Sequence, residues 1–211
     1  MKYLMLKDFI IQKRQVAFVL LLLIVLTTVW YLNDTAIEFI YLFGSLIVSI
    51  SLMTGSLSYD AENDVELFLL TLPIQRKTIV LSKYVVGFTM VLIGGGITFL
   101  QVELLNVIVD NPSSPPWTMI IGSFMGNLII TALIFATYYR FGYQNIKFVW
   151  VSAIVLAVFA SVLYMQTDFA RNLVDTVFSA NFQLLAAVAT LATILIYLGS
   201  LFISVRAIEK N

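Results

Sequence analysis

Residues 59–84 read YDAENDVELFLLTLPIQRKTIVLSKY, the only long segment of this chain in which charge, turn chemistry and helical periodicity occur together. Val65, Phe68, Leu69 and Leu72 fall on one helical face, while Glu62 and Glu66 share another. Asp60 is placed to cap that helix, with Glu62 and Asp64 in its first turn near the positive end of the dipole. Pro73 stops it, because proline removes an N–H and clashes with the preceding turn. Gln75-Arg76-Lys77 make a basic turn, and Ile79 to Tyr84 lead into the next apolar run. The segment therefore predicts a short acidic helix, a proline break and a basic knuckle.

Outward from it, apolar runs dominate. The chain is 61% hydrophobic and 11% charged, against about a quarter charged in a soluble domain. Its apolar runs approach the roughly 20 residues that span a bilayer. The fold class is therefore all-α: a polytopic membrane protein in a single transmembrane domain over residues 1–211. Net charge is zero, which gives no bias toward nucleic acid. With no Cys and no His, thiolate chemistry, disulfides and the commonest general base and metal ligand are excluded. The sequence has no G-x-x-x-x-G-K-[ST] loop, so this chain has no P-loop for ATP. No catalytic, metal or cofactor residue is assigned.

Six spans are predicted, near residues 16–32, 37–58, 84–109, 117–139, 148–166 and 182–205. Residues 1–15 place Tyr3, Leu6, Phe9 and Ile10 at helical spacing among Lys2, Lys7, Lys13 and Arg14, which reads as a basic amphipathic helix in the membrane interface. A signal peptide is the weaker reading, since no small-x-small cleavage site follows. The run from Asn111 to Pro116 is a proline-rich turn. Residues 167–181 repeat apolar positions at three and four, which suits a short outer helix. Eleven of the twelve Lys and Arg residues then fall on one side, with Arg171 alone on the other. That asymmetry puts both termini and residues 59–83 in the cytoplasm and the chain in the cell membrane.

Two features inside the spans carry functional alternatives. Glu103 lies about 28 Å along a helix from Tyr84, near the outer boundary of the hydrocarbon, with Gln101 and Asn106 beside it. Glu103 and Gln101 are assigned to helix pairing or to the wall of a substrate path. Gly94-Gly95-Gly96 and the Gly122-x-x-x-Gly126 pattern read as close helix packing, with a hinge or discontinuous helix as the sharper alternative.

Residues Tyr59-Asp60 and the pattern Leu72-Pro73-Ile74-x-Arg76-x-x-Ile79-Val80-x-Ser82-Lys83-Tyr84 resemble the first cytoplasmic loop of small ABC-2 type permeases of Gram-positive bacteria. The N-terminal basic helix and six-span layout are similar too. Within that family the chain looks most like exporters of amphipathic peptide toxins, the phenol-soluble modulin kind. The resemblance implies a type V exporter-like fold, and a cytoplasmic coupling helix that docks on a separate ATP-binding subunit. It assigns that docking to Asp60, Glu62, Asp64, Glu66, Leu72, Pro73, Arg76, Lys77 and Lys83. It implies as partners two copies of the ATP-binding subunit, which would hold ATP and Mg, and a second permease, identical or related. An amphipathic peptide substrate and the lipid bilayer complete the set.

Other classes fit less well. A secondary transporter wants polar groups near the midplane, where the predicted spans place almost none. An intramembrane enzyme wants a nucleophile with a base, or clustered acids around a metal. Asp60, Glu62, Asp64 and Glu66 are the only acid cluster, and a helix start explains them more simply.

Overall fold

The computed structural model describes residues 2–32, 37–63, 65–73, 75–108, 117–146, 148, 152 and 182–210. The described residues form α1 (Lys2–Ile11), α2 (Lys13–Leu32), α3 (Ile37–Glu62), α4 (Val65–Thr71), α5 (Arg76–Ile108), α6 (Trp117–Phe141), a 3-10 turn (Tyr143–Asn145) and α7 (Phe182–Lys210). The protein is an all-α polytopic membrane protein. Among the described residues four helices are long and apolar enough to cross a membrane, or five if α1 and α2, bent by 54°, count as one broken span. The predicted fifth span at 148–166 and the outer helix at 167–181 lie outside the described residues.

α3 is the spine. Its apolar stretch is 67% buried, against 39% for α5 and α6 and 11% for α7. It packs on α5 most extensively, and on α2 and α6. Ile50, Met53 and Leu57 of α3 meet Val80 and Tyr84 of α5, Ile134 and Phe135 of α6, and Ile208 of α7 in one buried cluster. Val48 and Leu52 meet Val19 and Leu23 of α2 with Val86 and Met90 of α5 in a second. In lipid, exclusion of water cannot drive such packing. Dispersion contacts and interhelical hydrogen bonds hold it.

The triple glycine divides by role. α5 runs unbroken through it, so the discontinuous-helix alternative fails. The unbroken ladder of α5 leaves no backbone group there to satisfy elsewhere. A Cβ at Gly94 would sit 2.3 Å from Ser49 Oγ and 3.0 Å from its backbone nitrogen, so α3 and α5 touch there backbone to backbone. Gly94→Leu should therefore destabilise the folded chain by about 1–3 kcal/mol, the cost of overpacking. A drop in the heat-resistant monodisperse fraction on size exclusion would report it, with Gly122→Leu as the control. An added Cβ at Gly122 or Gly126 meets nothing within 4 Å among the described residues. The expected G-x-x-x-G packing therefore has no partner helix there among those residues.

Helix ends depart from the predicted spans in one direction: the charged-end boundaries are extended. α3 continues to Glu62 and α5 begins at Arg76. At about 1.5 Å per residue, α5 is about 50 Å long, well beyond a hydrocarbon core of about 30 Å. The surplus holds the charged residues Arg76, Lys77 and Lys83.

Candidate functional site

The residues of interest gather where α1 meets the end of α3 and the start of α5, with the short α4 packed on α3. Asp60 was expected to open α4; it instead occupies the last turn of α3 and is 3% exposed. The local pattern of Asp followed by acids is compatible with a cap, but the Asp60 carboxylate is taken up by Lys7 and Lys83. Asn63 closes it, its backbone N–H and its side-chain Nδ2 both donating to Tyr59 O, at 3.2 and 2.9 Å.

Lys83 is the hub. An ammonium has three donors, and Lys83 Nζ places them on Asp60 Oδ2 at 2.5 Å, Asp8 Oδ1 at 2.7 Å and Ser56 Oγ at 2.9 Å. Ser56 passes its own proton to Asp8 Oδ1 at 3.1 Å. Lys7 Nζ completes the group, 2.7 Å from Asp60 Oδ1 and 3.5 Å from Asp8 Oδ1. Two lysines and two aspartates make the cluster formally neutral. Its pairing offsets the several kcal/mol per ion that burial costs. Asp8 Oδ2 is buried and has no hydrogen-bond partner among the described residues. The cluster thus fastens α1 to α3 and α5.

α1 is built for this contact. Tyr3, Leu6 and Ile10 are exposed while Asp8 and Gln12 are buried, so the apolar side faces outward and the polar side faces protein. Just beyond, Gln12 Nε2 donates to Leu52 O at 3.0 Å and Gln15 Nε2 to Ser51 O at 2.9 Å. The two glutamines clamp the α1–α2 elbow onto α3. Gly55 makes room, since a Cβ there would overlap the Gln15 amide.

Tyr84, next in sequence, faces the other way. Its hydroxyl lies 2.6 Å from Ser200 Oγ and 2.8 Å from Ser204 Oγ. Ser200 spends its proton on Ala132 O at 2.6 Å. Tyr84 must therefore donate to Ser200, and Ser204 to Tyr84. Tyr197 adds a bond to Tyr84 O at 2.6 Å. Adjacent residues of α5 thus pin it to α1 and α3 on one side and to α6 and α7 on the other.

Above these anchors sits the exposed part. In α4, Leu69 is buried and Phe68 is 63% exposed. Leu72 is half-buried and Pro73 exposed, just after the helix ends at Thr71. Arg76 and Lys77 do not form a turn; they open α5, with only Gln75 before them outside the helix. Arg76 Nη1 donates to Ile208 O at 2.8 Å, taking up one of the carbonyls left open at the C-terminus of α7. Lys77 lies 3.5 Å from Glu209 with both side chains exposed, a pair of the kind worth about 0–1 kcal/mol.

Of the acid cluster, Asp60 and Glu62 do not converge. Asp60 points into the protein and Glu62 is exposed. Asp64 and the side chain of Glu66 lie outside the described residues. Among the described residues no three His, Cys, Asp or Glu side chains could hold a metal. The geometry offers a surface anchored to buried charges, and the sequence matches a known family along nearly its whole length. Residues 3–209 match the ABC-2 family transporter proteins. The chain belongs to that family. Comparison with curated proteins and with solved structures gives no match.

This ABC-2 family transporter protein is thus a membrane permease of an ABC transporter, and the family implies an ATP-binding partner. Sequence reading singled out Asp60 and Lys83 but missed that they pair, and missed Lys7, Asp8, Gln12 and Gln15 as their neighbours. One signal was present: Asp8 is the only acid in the basic N-terminal segment. Near the other end of α5, Gln101 Nε2 donates to Thr27 Oγ1 of α2, a helix-pairing contact. Glu103 is half-buried, and its Oε1 has no partner among the described residues.

Proposed function

We propose that this chain is the permease subunit of an ATP-driven exporter that moves amphipathic peptides or lipid-like molecules out of the cell. It works with two copies of an ATP-binding subunit, which carry ATP and Mg, and with a second permease, identical or related. Both termini and the α4 end face the cytoplasm, the orientation that the distribution of basic residues favours. The observation that carries the reading is the exposed α4–α5 corner, standing on a buried ionic anchor. Phe68, Pro73, Arg76 and Lys77 form the docking surface. Leu72 and Glu62 border it, and Asp64 and Glu66 keep the docking role that the family resemblance gives them.

Asp60 and Lys83 act differently from the contact role that the family resemblance gave them. They are buried at 3% and 6% exposure, so they transmit a push on α4 to α1 rather than touch the partner. Closure of the ATP-binding dimer moves α4. The cluster makes α1, α3 and α5 follow together, which changes access to the bundle. ATP biases the conformation only through contacts that differ between the two states.

The test uses vesicles containing the permease and its ATP-binding subunit, with a fluorescent amphipathic peptide added outside. ATP-driven accumulation of the peptide in inside-out vesicles is expected from the unmodified complex. Phe68→Asp should cut it at least about tenfold and weaken co-purification of the ATP-binding subunit, because truncating a central exposed aromatic contact costs about 2 kcal/mol or more. Uptake that needs no ATP-binding subunit and runs on an ion gradient would sink the reading.

A further inference from the structure

We propose that α1 is a lipid-recognition element. Its outer side seats on an anionic leaflet on the α4 side of the membrane, and its inner side ties that contact to the charged ends of α3 and α5. Tyr3, Leu6 and Ile10 recur at three and four on one side of α1 and are 85%, 52% and 55% exposed. Past the elbow the exposed apolar residues go on with Phe18, Leu21 and Val25 of α2, a helix of the membrane-spanning bundle.

The level of α1 follows from α2. Its 20 residues make about 30 Å of helix, enough to cross the hydrocarbon without α1. Lys13 and Arg14 stand at its start, where basic residues meet headgroups. α1 leaves that point bent by 54° from α2. It therefore lies at the headgroup level, with its apolar side toward the lipid.

Charge selects the lipid. Asp8 is the one acid among residues 1–15, and it is held by Lys83. Lys7 is turned to Asp60. The other ionisable side chains of the segment are those of Tyr3, already on the outer side, and of Lys2, Lys13 and Arg14, all three basic. A basic residue near an anionic surface is worth about fivefold in affinity. A second copy of the chain is the poorer occupant, because a two-fold contact through α1 would bring the same basic residues together.

The opposite side of α1 is fastened to protein. Leu6 and Ile10 each stand two residues from Asp8, about 200° round the helix. Asp8 Oδ1 accepts from Lys83 of α5 at 2.7 Å and from Ser56 of α3 at 3.1 Å, and Lys7 reaches Asp60 of α3 at 2.7 Å. A leaflet that holds α1 thus loads α3 and α5 through buried charges rather than through a slack loop. The linkage is reciprocal: whatever displaces the end of α3 changes the hold of α1 on lipid by the same factor. The inference needs only the membrane fold, not the direction or energy source of transport.

The experiment uses the full chain in nanodiscs of phosphatidylcholine alone or mixed with phosphatidylglycerol. The chain has no Cys, so Leu6→Cys carries a nitroxide at one place. Its relaxation should respond to oxygen, which enters lipid, more than to a water-soluble nickel chelate. The reverse order, or shielding from both, would place α1 in water or against protein and overturns the lipid contact. Hydrogen exchange of the unmodified chain supplies the linkage. Phosphatidylglycerol should slow exchange at least about fivefold in residues 2–11, 55–62 and 76–84. Lys13→Gln with Arg14→Gln should remove most of that slowing in all three segments, and Asp8→Asn should confine it to residues 2–11. Equal exchange of residues 2–11 in the two lipids overturns the anionic preference, and an effect that stops at residue 11 in the unmodified chain overturns the tie to α3 and α5. Both of these comparisons require no variant, so a folding defect in Asp8→Asn leaves the test decisive.

Discussion

Lys83→Met is expected to destabilise the folded chain by about 3–5 kcal/mol and to abolish transport. The variant keeps the length and apolar stem of the side chain and removes three donors at once. Among the described residues Asp60 and Asp8 then share only Lys7, which is 26% exposed at its side chain. One negative charge stays buried without compensation, and Ser56 loses the proton it accepts. Native stabilities of about 5–15 kcal/mol leave little margin for this loss. Thermal shift by size-exclusion chromatography and the amount of membrane-inserted protein measure it. The charge argument makes a sharper demand on the double variant. Asp8→Asn with Lys83→Met restores a formally neutral site built on the Lys7–Asp60 pair, so it should recover more than half the lost stability. Coupling of that size between residues in contact is within the usual range for such pairs. If the two losses simply add, Asp8 and Lys83 are not one electrostatic unit. Recovery of stability without recovery of transport would separate the anchor from its role in transmitting force.

The helices of the described residues were legible and the anchor was not, for a physical reason. An apolar run reports that a segment lies in lipid, and basic residues report which side its ends face. Both are properties of a segment by itself. The pairing of Asp8, Asp60 and Lys83 belongs to three helices at once, and nothing in one helix's periodicity names its partner. Asp60 illustrates the confusion. An Asp followed by acids is the pattern of a helix start, yet Asp60 lies in the last turn of α3 and pairs with Lys7 and Lys83. α1 misled in a related way. Residues 2–11 are helical as expected, yet Asp8 and Gln12 turn to protein rather than to water. The triple glycine was read as packing, which holds for Gly94; the open volume beside Gly95 and Gly96 depends on Tyr41 and Asn127 from other helices. Phe68 and Leu69 were placed on one face, whereas the short α4 exposes the first and buries the second.

Arg76→Glu with Lys77→Glu should abolish ATP-driven transport and uncouple ATP turnover from substrate while the protein still inserts. Each residue has an internal partner, so the loss could arise within the chain. Lys77 pairs with Glu209 at 3.5 Å, and Arg76 holds the Ile208 carbonyl at 2.8 Å. The exposed pair contributes at most about 1 kcal/mol, too little to explain abolished coupling. Lys77→Glu combined with Glu209→Lys isolates the question. The swap rebuilds the internal ion pair with its polarity reversed, but presents a negative charge from α5 to any partner. If Lys77 serves docking, the swapped variant remains at least about tenfold impaired, because a reversed charge against a complementary surface costs several kcal/mol. If it serves only the α5–α7 contact, transport returns to near the unmodified level. Salt supplies a second axis. A docking charge at the rim should act mainly on the association rate, so the impairment should shrink as ionic strength rises and the Debye length falls from about 10 Å at 0.1 M toward about 3 Å at 1 M. Normal substrate-stimulated ATPase and transport in the Arg76→Glu, Lys77→Glu chain would remove these residues from the docking surface and leave Phe68 and Pro73 to carry it.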